Sequence, residues 1–173
     1  RLCNLICSLR PDEDKLTYSV IFNIDEEANI KSWRVVHTII RSNRRYAYEE
    51  VQQLLEDNGV VDGTGEPAPV APAGGYKGEN ADQLIMLDRI AKMFRAKRFK
   101  GGAVKFDREE LHFDIDETGK PTRCYFKRSK DANKLVEEFM LLANRTVAES
   151  IGKVKNGAKA KTLPYRIQDR KST

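Results

Sequence analysis

The chain lacks any apolar run long enough to cross a bilayer. The longest, around Val35 to Ile40, is interrupted by His37 and Thr38, well short of the ~20 residues that a membrane-spanning helix needs. The N-terminus lacks a signal-peptide pattern, so nothing in the sequence directs the chain to a membrane. Cysteine is scarce and odd in number: Cys3, Cys7 and Cys124, with neither histidine near any of them at a zinc-site spacing. That pattern argues for reduced thiols in a cytoplasmic protein, and no metal site is read from cysteine or histidine. Acidic residues are missing from two long stretches or nearly so. Arg89 to Lys105 holds seven basic residues and no acidic one, and from Lys153 onward seven basic residues face only Asp169.

At 173 residues, 33% charged and 40% hydrophobic, the chain is long enough for one domain with a real core. The basic stretches, with the smaller groups Arg41, Arg44, Arg45 and Lys127, Arg128, Lys130, are interleaved with Tyr46, Tyr48, Phe99, Phe106, Tyr125 and Phe126. This is the composition of a surface that holds a phosphate backbone and stacks bases. A net charge of +5 is also that of many soluble enzymes, so composition alone does not decide the matter.

Strands and helices alternate along the chain. Leu16 to Ile24 and Ile30 to Ile40 carry β-branched and aromatic residues, and Asp25, Glu26, Glu27 and Asn29 between them read as a hairpin connection. Tyr48 to Asp57 reads as a short helix with Val51, Leu54 and Leu55 inward, stopped by Asn58-Gly59. Gly59 to Gly78 holds six of the eleven glycines and three of the six prolines, which predicts an exposed loop or insertion. Asn80 is expected to cap a helix running to about Arg98, with Leu84, Leu87, Ala91 and Phe94 on one face and the basic residues mostly on the other. Val104 to Phe106, Leu111 to Ile115, Arg123 to Phe126 and Leu163 to Ile167 read as strands. The whole predicts an α+β fold, an antiparallel or mixed sheet packed by helices.

Ser129 to Gly152, SKDANKLVEEFMLLANRTVAESIG, is the segment that speaks to function. Ala132, Leu135, Val136, Phe139, Leu142, Ala143 and Val147 recur at helical spacing and form an apolar arc, with Ser129 and Gly152 as the ends. Asn133, Glu137 and Asn144 fall along one border of that arc. Two amides beside a carboxylate suit a polar ligand; the commoner meaning of such a border is a solvated helix edge.

In order and approximate spacing, Ile6-Cys7-Ser8-Leu9-Arg10-Pro11, Ser42 to Val51 (SNRRYAYEEV), Gly101 to Phe106 (GGAVKF), Asn133 to Asn144 (NKLVEEFMLLAN) and Tyr165-Arg166-Ile167 resemble the catalytic domain of ribonuclease R and ribonuclease II, bacterial 3′→5′ exoribonucleases. The resemblance covers nearly all of the chain except the Gly/Pro loop. It implies that residues 1–173 are one partial domain, a middle portion of the RNB catalytic domain, with 59–78 as a loop within it. The resemblance also implies a monomeric parent enzyme that degrades single-stranded RNA processively to nucleoside 5′-monophosphates. Tyr48 then matches a tyrosine of the catalytic cavity, Phe106 a phenylalanine closing one side of the base stack, and Glu137 a glutamate contacting the terminal sugar, with Asn133 and Asn144 as weaker RNA-binding candidates. An aromatic ring stacks on any base, and a carboxylate accepts a ribose 2′-hydroxyl.

The family hydrolyses its substrate with Mg²⁺ held by closely spaced aspartates in a segment preceding the CSL motif, so this chain is expected to hold no metal ligand and no catalytic residue. Asp114-Ile115-Asp116 and Asp25-Glu26-Glu27 read as turn residues. Gln168, and Arg170-Lys171 after it, depart from the family pattern. The alternatives are a non-catalytic RNA-binding module and a structural protein whose charge serves solubility.

Overall fold

The computed structural model describes residues 6–60, 75–104, 110–127 and 129–152. Strands β1 (Asp14–Ile24) and β2 (Ile30–Arg41) form an antiparallel hairpin that pairs Tyr18 with His37, Val20 with Val35 and Phe22 with Trp33. Alternation puts these residues with Leu16 and Ile39 on one face, and Thr17, Ser19 and Thr38 on the other. There the hydroxyls bond one another, Thr17 with Thr38 at 2.8 Å and Ser19 with Thr38 at 2.6 Å. At the tip, the Asp25 carboxylate accepts the Asn29 backbone N–H at 2.7 Å and pairs with Lys31 at 2.8 Å. Lys31 first, then Asn29, hold the Asp25 carboxyl well below the usual carboxylate range. The acidic tip is thus turn chemistry, as its sequence suggests.

Helix α1 (Tyr48–Asp57) ends where Asn58-Gly59 stops it. Gly59 takes φ 66°, its N–H donates to Glu56 O, and the Val60 N–H donates to Leu55 O. This is the Schellman arrangement, in which the residue after the glycine packs back on the last turn. Val60 and Leu55 are accordingly both buried, in a core cluster with Ala81 and Ile85, against which Val51, Leu54 and Tyr76 pack. The described ends of the Gly/Pro-rich segment thus have no regular secondary structure, yet pack on the core through Val60 and Tyr76; residues 61–74 lie outside the described residues.

Helix α2 (Ala81–Lys100) departs from expectation twice. Asn80 is left-handed, φ 55°, and its side chain does not cap the helix; its amide donates instead to the Tyr46 hydroxyl at 2.8 Å. Ala91 is buried as expected, with Ile90, but Ala81, Ile85, Asp88 and Lys92, at steps of four and three, are buried too, while Leu87 is 39% exposed. Lys92 is not on the basic solvent face. Its ammonium sits 2.9 Å from Asp88 and 3.5 Å from Asp131, and donates to Val60 O at 3.2 Å. Two buried carboxylates and a carbonyl offset the desolvation that otherwise keeps a lysine at the surface.

Strands β3 (Glu110–Ile115) and β4 (Pro121–Lys127) form a second antiparallel hairpin, and helix α3 (Asp131–Gly152) follows. The expected α+β composition holds. Among the described residues, however, the strands form two separate two-stranded ribbons and no single mixed sheet. Each ribbon keeps an apolar face in solvent, with Leu16 87% and Phe126 63% exposed. Val104 is not in a strand, and the rest of Val104 to Phe106, like Leu163 to Ile167, lies outside the described residues.

Candidate nucleic-acid interface

Three helices carry the candidate residues, and polar contacts fix how they lie. Helices α1 and α3 meet where Gln52 Oε1 accepts the Ala132 backbone N–H at 3.2 Å, and where Lys130 reaches Glu56 at 3.5 Å. Tyr48 lies one turn before Gln52 in α1, and Glu137 lies five residues after Ala132 in α3, ~140° round the helix from it. Tyr48 opens α1 and is 47% exposed.

Glu137 has a half-exposed side chain, 52%, whereas its neighbour Glu138 is 3% exposed. The structure separates the two glutamates of the VEE step. Glu138 points inward against Arg98 of α2, accepting from Nε at 3.2 Å and from Nη2. That fork is the geometry guanidinium and carboxylate prefer, and Glu138 raises the Arg98 pKa further above its ordinary value. Glu137 stays outside, its Oε1 3.9 Å from Arg98 Nη2. The neighbouring lysines are engaged elsewhere: Lys130 meets Glu56 and Lys134 meets Asp131.

The buried face of α3 is turned toward Glu138 relative to the expected arc. Asp131, Ala132, Glu138 and Thr146 are its most buried members, and Glu137 and Asn144 stand exposed on the far side. Asn133 is half-buried, and its Oδ1 accepts the Lys130 backbone N–H at 3.1 Å. It supplies the backward half of a capping box and spends its acceptor on the start of the helix, leaving its NH₂ as donor. The start depends on this contact. Phe106 lies outside the described residues.

Much of the basic stretch of α2 is occupied internally. Lys92 is buried, Arg98 holds Glu138, and Lys97 donates to Glu27 O at 2.9 Å and Ala28 O at 2.8 Å, fastening the first hairpin's tip. Arg95 and Arg98 also cover the Phe99 ring, at 5.3 and 4.9 Å, and Arg44 covers Tyr46 at 4.8 Å. These rings are less available as stacking platforms than their composition suggests. An open cleft of about 340 Å³ beside α1 is lined by Glu50, Asp57 and Glu79 against Arg44 and Lys77, the wrong charge balance for a phosphate.

Among the described residues no group of three or more His, Cys, Asp or Glu side chains is placed to hold a metal ion. The carboxylates of Asp88 and Asp131 do converge, but on the Lys92 ammonium, which fills the place a cation would take. Asp116 is engaged in its turn: Thr118 first, then the Lys120 N–H, lower its pKa. The converging carboxylates among the described residues do not fit Mg²⁺. No described helix is long and apolar enough to cross a membrane.

The profile of the RNB domain matches residues 1–173. The chain belongs to the RNB domain family. It is 39% identical over 150 residues to DIS3-like exonuclease 2 of Caenorhabditis elegans, covering 87% of this chain and 18% of that protein. It is 32% identical over 148 residues to ribonuclease R of Aquifex aeolicus, covering 86% of this chain and 19% of the relative. The chain therefore spans less than a fifth of these relatives' length. Among solved structures, Mycoplasma genitalium RNase R in complex with ribose-methylated single-stranded RNA superposes with a TM-score of 0.68 at 22% identity, over 87% of this chain and 21% of that one. The resemblance to ribonuclease R thus stands, and the similarity extends beyond bacteria to a eukaryotic relative.

The Arg98–Glu138 pair and the Gln52 contact were not anticipated from sequence. A signal for Glu138 was present: it lies three residues after Leu135 and four before Leu142, on the buried side of its helix.

Proposed function

We propose that this chain is the part of a processive 3′→5′ hydrolytic exoribonuclease that holds the terminal nucleotide of single-stranded RNA, the parent enzyme releasing nucleoside 5′-monophosphates. One observation carries the reading: Glu137 projects half-exposed from α3 and Tyr48 half-exposed from the first turn of α1, two helices joined at the Gln52–Ala132 contact, within a chain of the RNB domain family. A ring able to stack and a carboxylate able to accept a 2′-hydroxyl are what a sequence-blind, ribose-reading end site requires. Asn144, exposed on the same side of α3, and the free NH₂ of Asn133 are the secondary contacts. Phe106 is assigned to the base stack by its motif alone.

Mg²⁺ is assigned to residues outside this chain on the family resemblance; among the described residues Asp88 and Asp131 converge on Lys92, and Asp25 and Asp116 are engaged in turns. The piece contributes binding and no hydrolysis. The test uses a 5′-labelled single-stranded RNA with Mg²⁺. The full-length protein shortens it stepwise from the 3′ end with mononucleotide release, and chelation of the metal stops the reaction; the 173-residue chain leaves the RNA intact. Mononucleotides released by the chain alone would overturn the assignment of the metal site, and full-length protein that binds RNA without shortening it would favour a non-catalytic RNA-binding module.

A further inference from the structure

We propose that Arg98 is a positioning residue for ribose recognition, setting the place of Glu137 through its fork to Glu138; the inference rests on reading Glu137 as the acceptor of the terminal 2′-hydroxyl. Arg98 is itself firmly placed. It lies at the end of α2, where Gly102 takes φ 92° and the Ala103 N–H donates back to Arg98 O at 3.3 Å, a Schellman stop that holds its backbone. The guanidinium lies over the Phe99 ring at 4.9 Å. From that mount Nε and Nη2 take both oxygens of the buried Glu138, and Nη2 also faces Glu137 at 3.9 Å.

Consecutive helical residues diverge by ~100°, so drawing Glu138 into the α2–α3 interface fixes the rotation of α3 about its axis and with it the direction of Glu137. The same interface holds the Lys92–Asp131 pair at the first residue of α3, 3.5 Å apart, two turns before Glu138; nearer the fork it is apolar and less specific. Phe94 and Phe139 meet edge to face at 6.1 Å, a contact that tolerates rotation of several degrees better than a two-bond fork does. The charge on Nη2, 3.9 Å from Glu137 Oε1, then draws the Glu137 carboxylate to one side of its range. A lysine at this position keeps the charge and loses the fork.

The experiment measures binding of full-length protein, in metal-free buffer so that no turnover occurs, to a single-stranded RNA and to the same oligomer with a 2′-deoxy 3′-terminal nucleotide. The wild-type protein favours the ribose end by about tenfold, the value of one hydrogen bond to a charged acceptor. Arg98→Ala and Glu138→Gln bring that ratio toward one while affinity for the deoxy oligomer stays within about threefold of wild type; Arg98→Lys keeps part of the ratio. A purely structural role for the pair lowers both affinities together and leaves the ratio unchanged, and that result overturns the proposal. Should Arg98→Ala not fold, Glu138→Gln and Arg98→Lys carry the same comparison. Glu137→Gln separates the two readings. If it abolishes the preference and the Arg98 and Glu138 variants do not, only the positioning role fails; if it leaves the preference intact, the reading of Glu137 fails and takes the positioning role with it.

Discussion

Replacing Lys92 by methionine keeps most of the side chain's packing volume and removes only its charge. The ammonium lies 2.9 Å from Asp88 Oδ2, 3.5 Å from Asp131 Oδ2 and 3.2 Å from Val60 O, and the side chains of the three charged residues are 6%, 2% and 9% exposed. Asp131 retains Lys134 at 3.8 Å, and the buried Asp88 carboxylate loses the ammonium that stood 2.9 Å away. Removing one partner of a buried pair costs about 3–5 kcal/mol, mostly the penalty of the charge left behind. At ~1.4 kcal/mol per decade this is a hundredfold to a few thousandfold in the opening equilibrium. Hydrogen exchange resolved to peptides reads it directly, in the amides of α2 and the first turns of α3 of full-length protein. Adding Asp88→Asn to Lys92→Met removes the carboxylate charge that Lys92 balanced and restores part of the protection. A loss below about 1 kcal/mol, the value of an exposed pair, would refute the view that this cluster locks the three helices together.

Tyr48→Ala is expected to weaken RNA binding by about fivefold to a hundredfold, the range of one base–aromatic stack, and Tyr48→Phe to preserve it, since the ring makes the contact; equilibrium binding to a single-stranded oligomer decides, and an equal loss in both variants would point to the hydroxyl. The first hairpin loses stability only in acid. The Asp25 pKa is lowered in the folded hairpin, so its contribution is complete above the unfolded value of about 3.9 and disappears as pH falls through the folded one. Fluorescence of Trp33, the one tryptophan, followed in a pH titration should be flat from neutrality to about pH 4 and change below it; Asp25→Asn reduces the acid-dependent part.

Local signals made much of this fold legible. The helix expected over Tyr48 to Asp57 is found with those ends, because Asn58-Gly59 is a stop whose geometry is written in two adjacent residues. Both hairpins and α3 follow likewise from alternation, turn residues and helical period. The buried face of α2 was not legible: Asp88 and Lys92 look like solvent residues until Asp131, far along the chain, is brought beside them. Asn80 misled because its backbone is left-handed, φ 55°, and not the extended form of a capping residue, while its amide nitrogen donates to Tyr46. At the candidate interface the sequence put Glu137, Asn133 and Asn144 on one side of a helix. It did not show that the next glutamate is bound to α2, nor that Asn133 spends its acceptor on the start of α3.

The end-site assignment is tested most directly by placing a photoreactive nucleotide at the 3′ terminus of a single-stranded RNA, crosslinking it to full-length protein without metal, and sequencing the modified peptides. The account predicts adducts in the first turn of α1, at Tyr48, and around Glu137 of α3. Adducts confined to the two hairpins, with α1 and α3 unmodified, would contradict it.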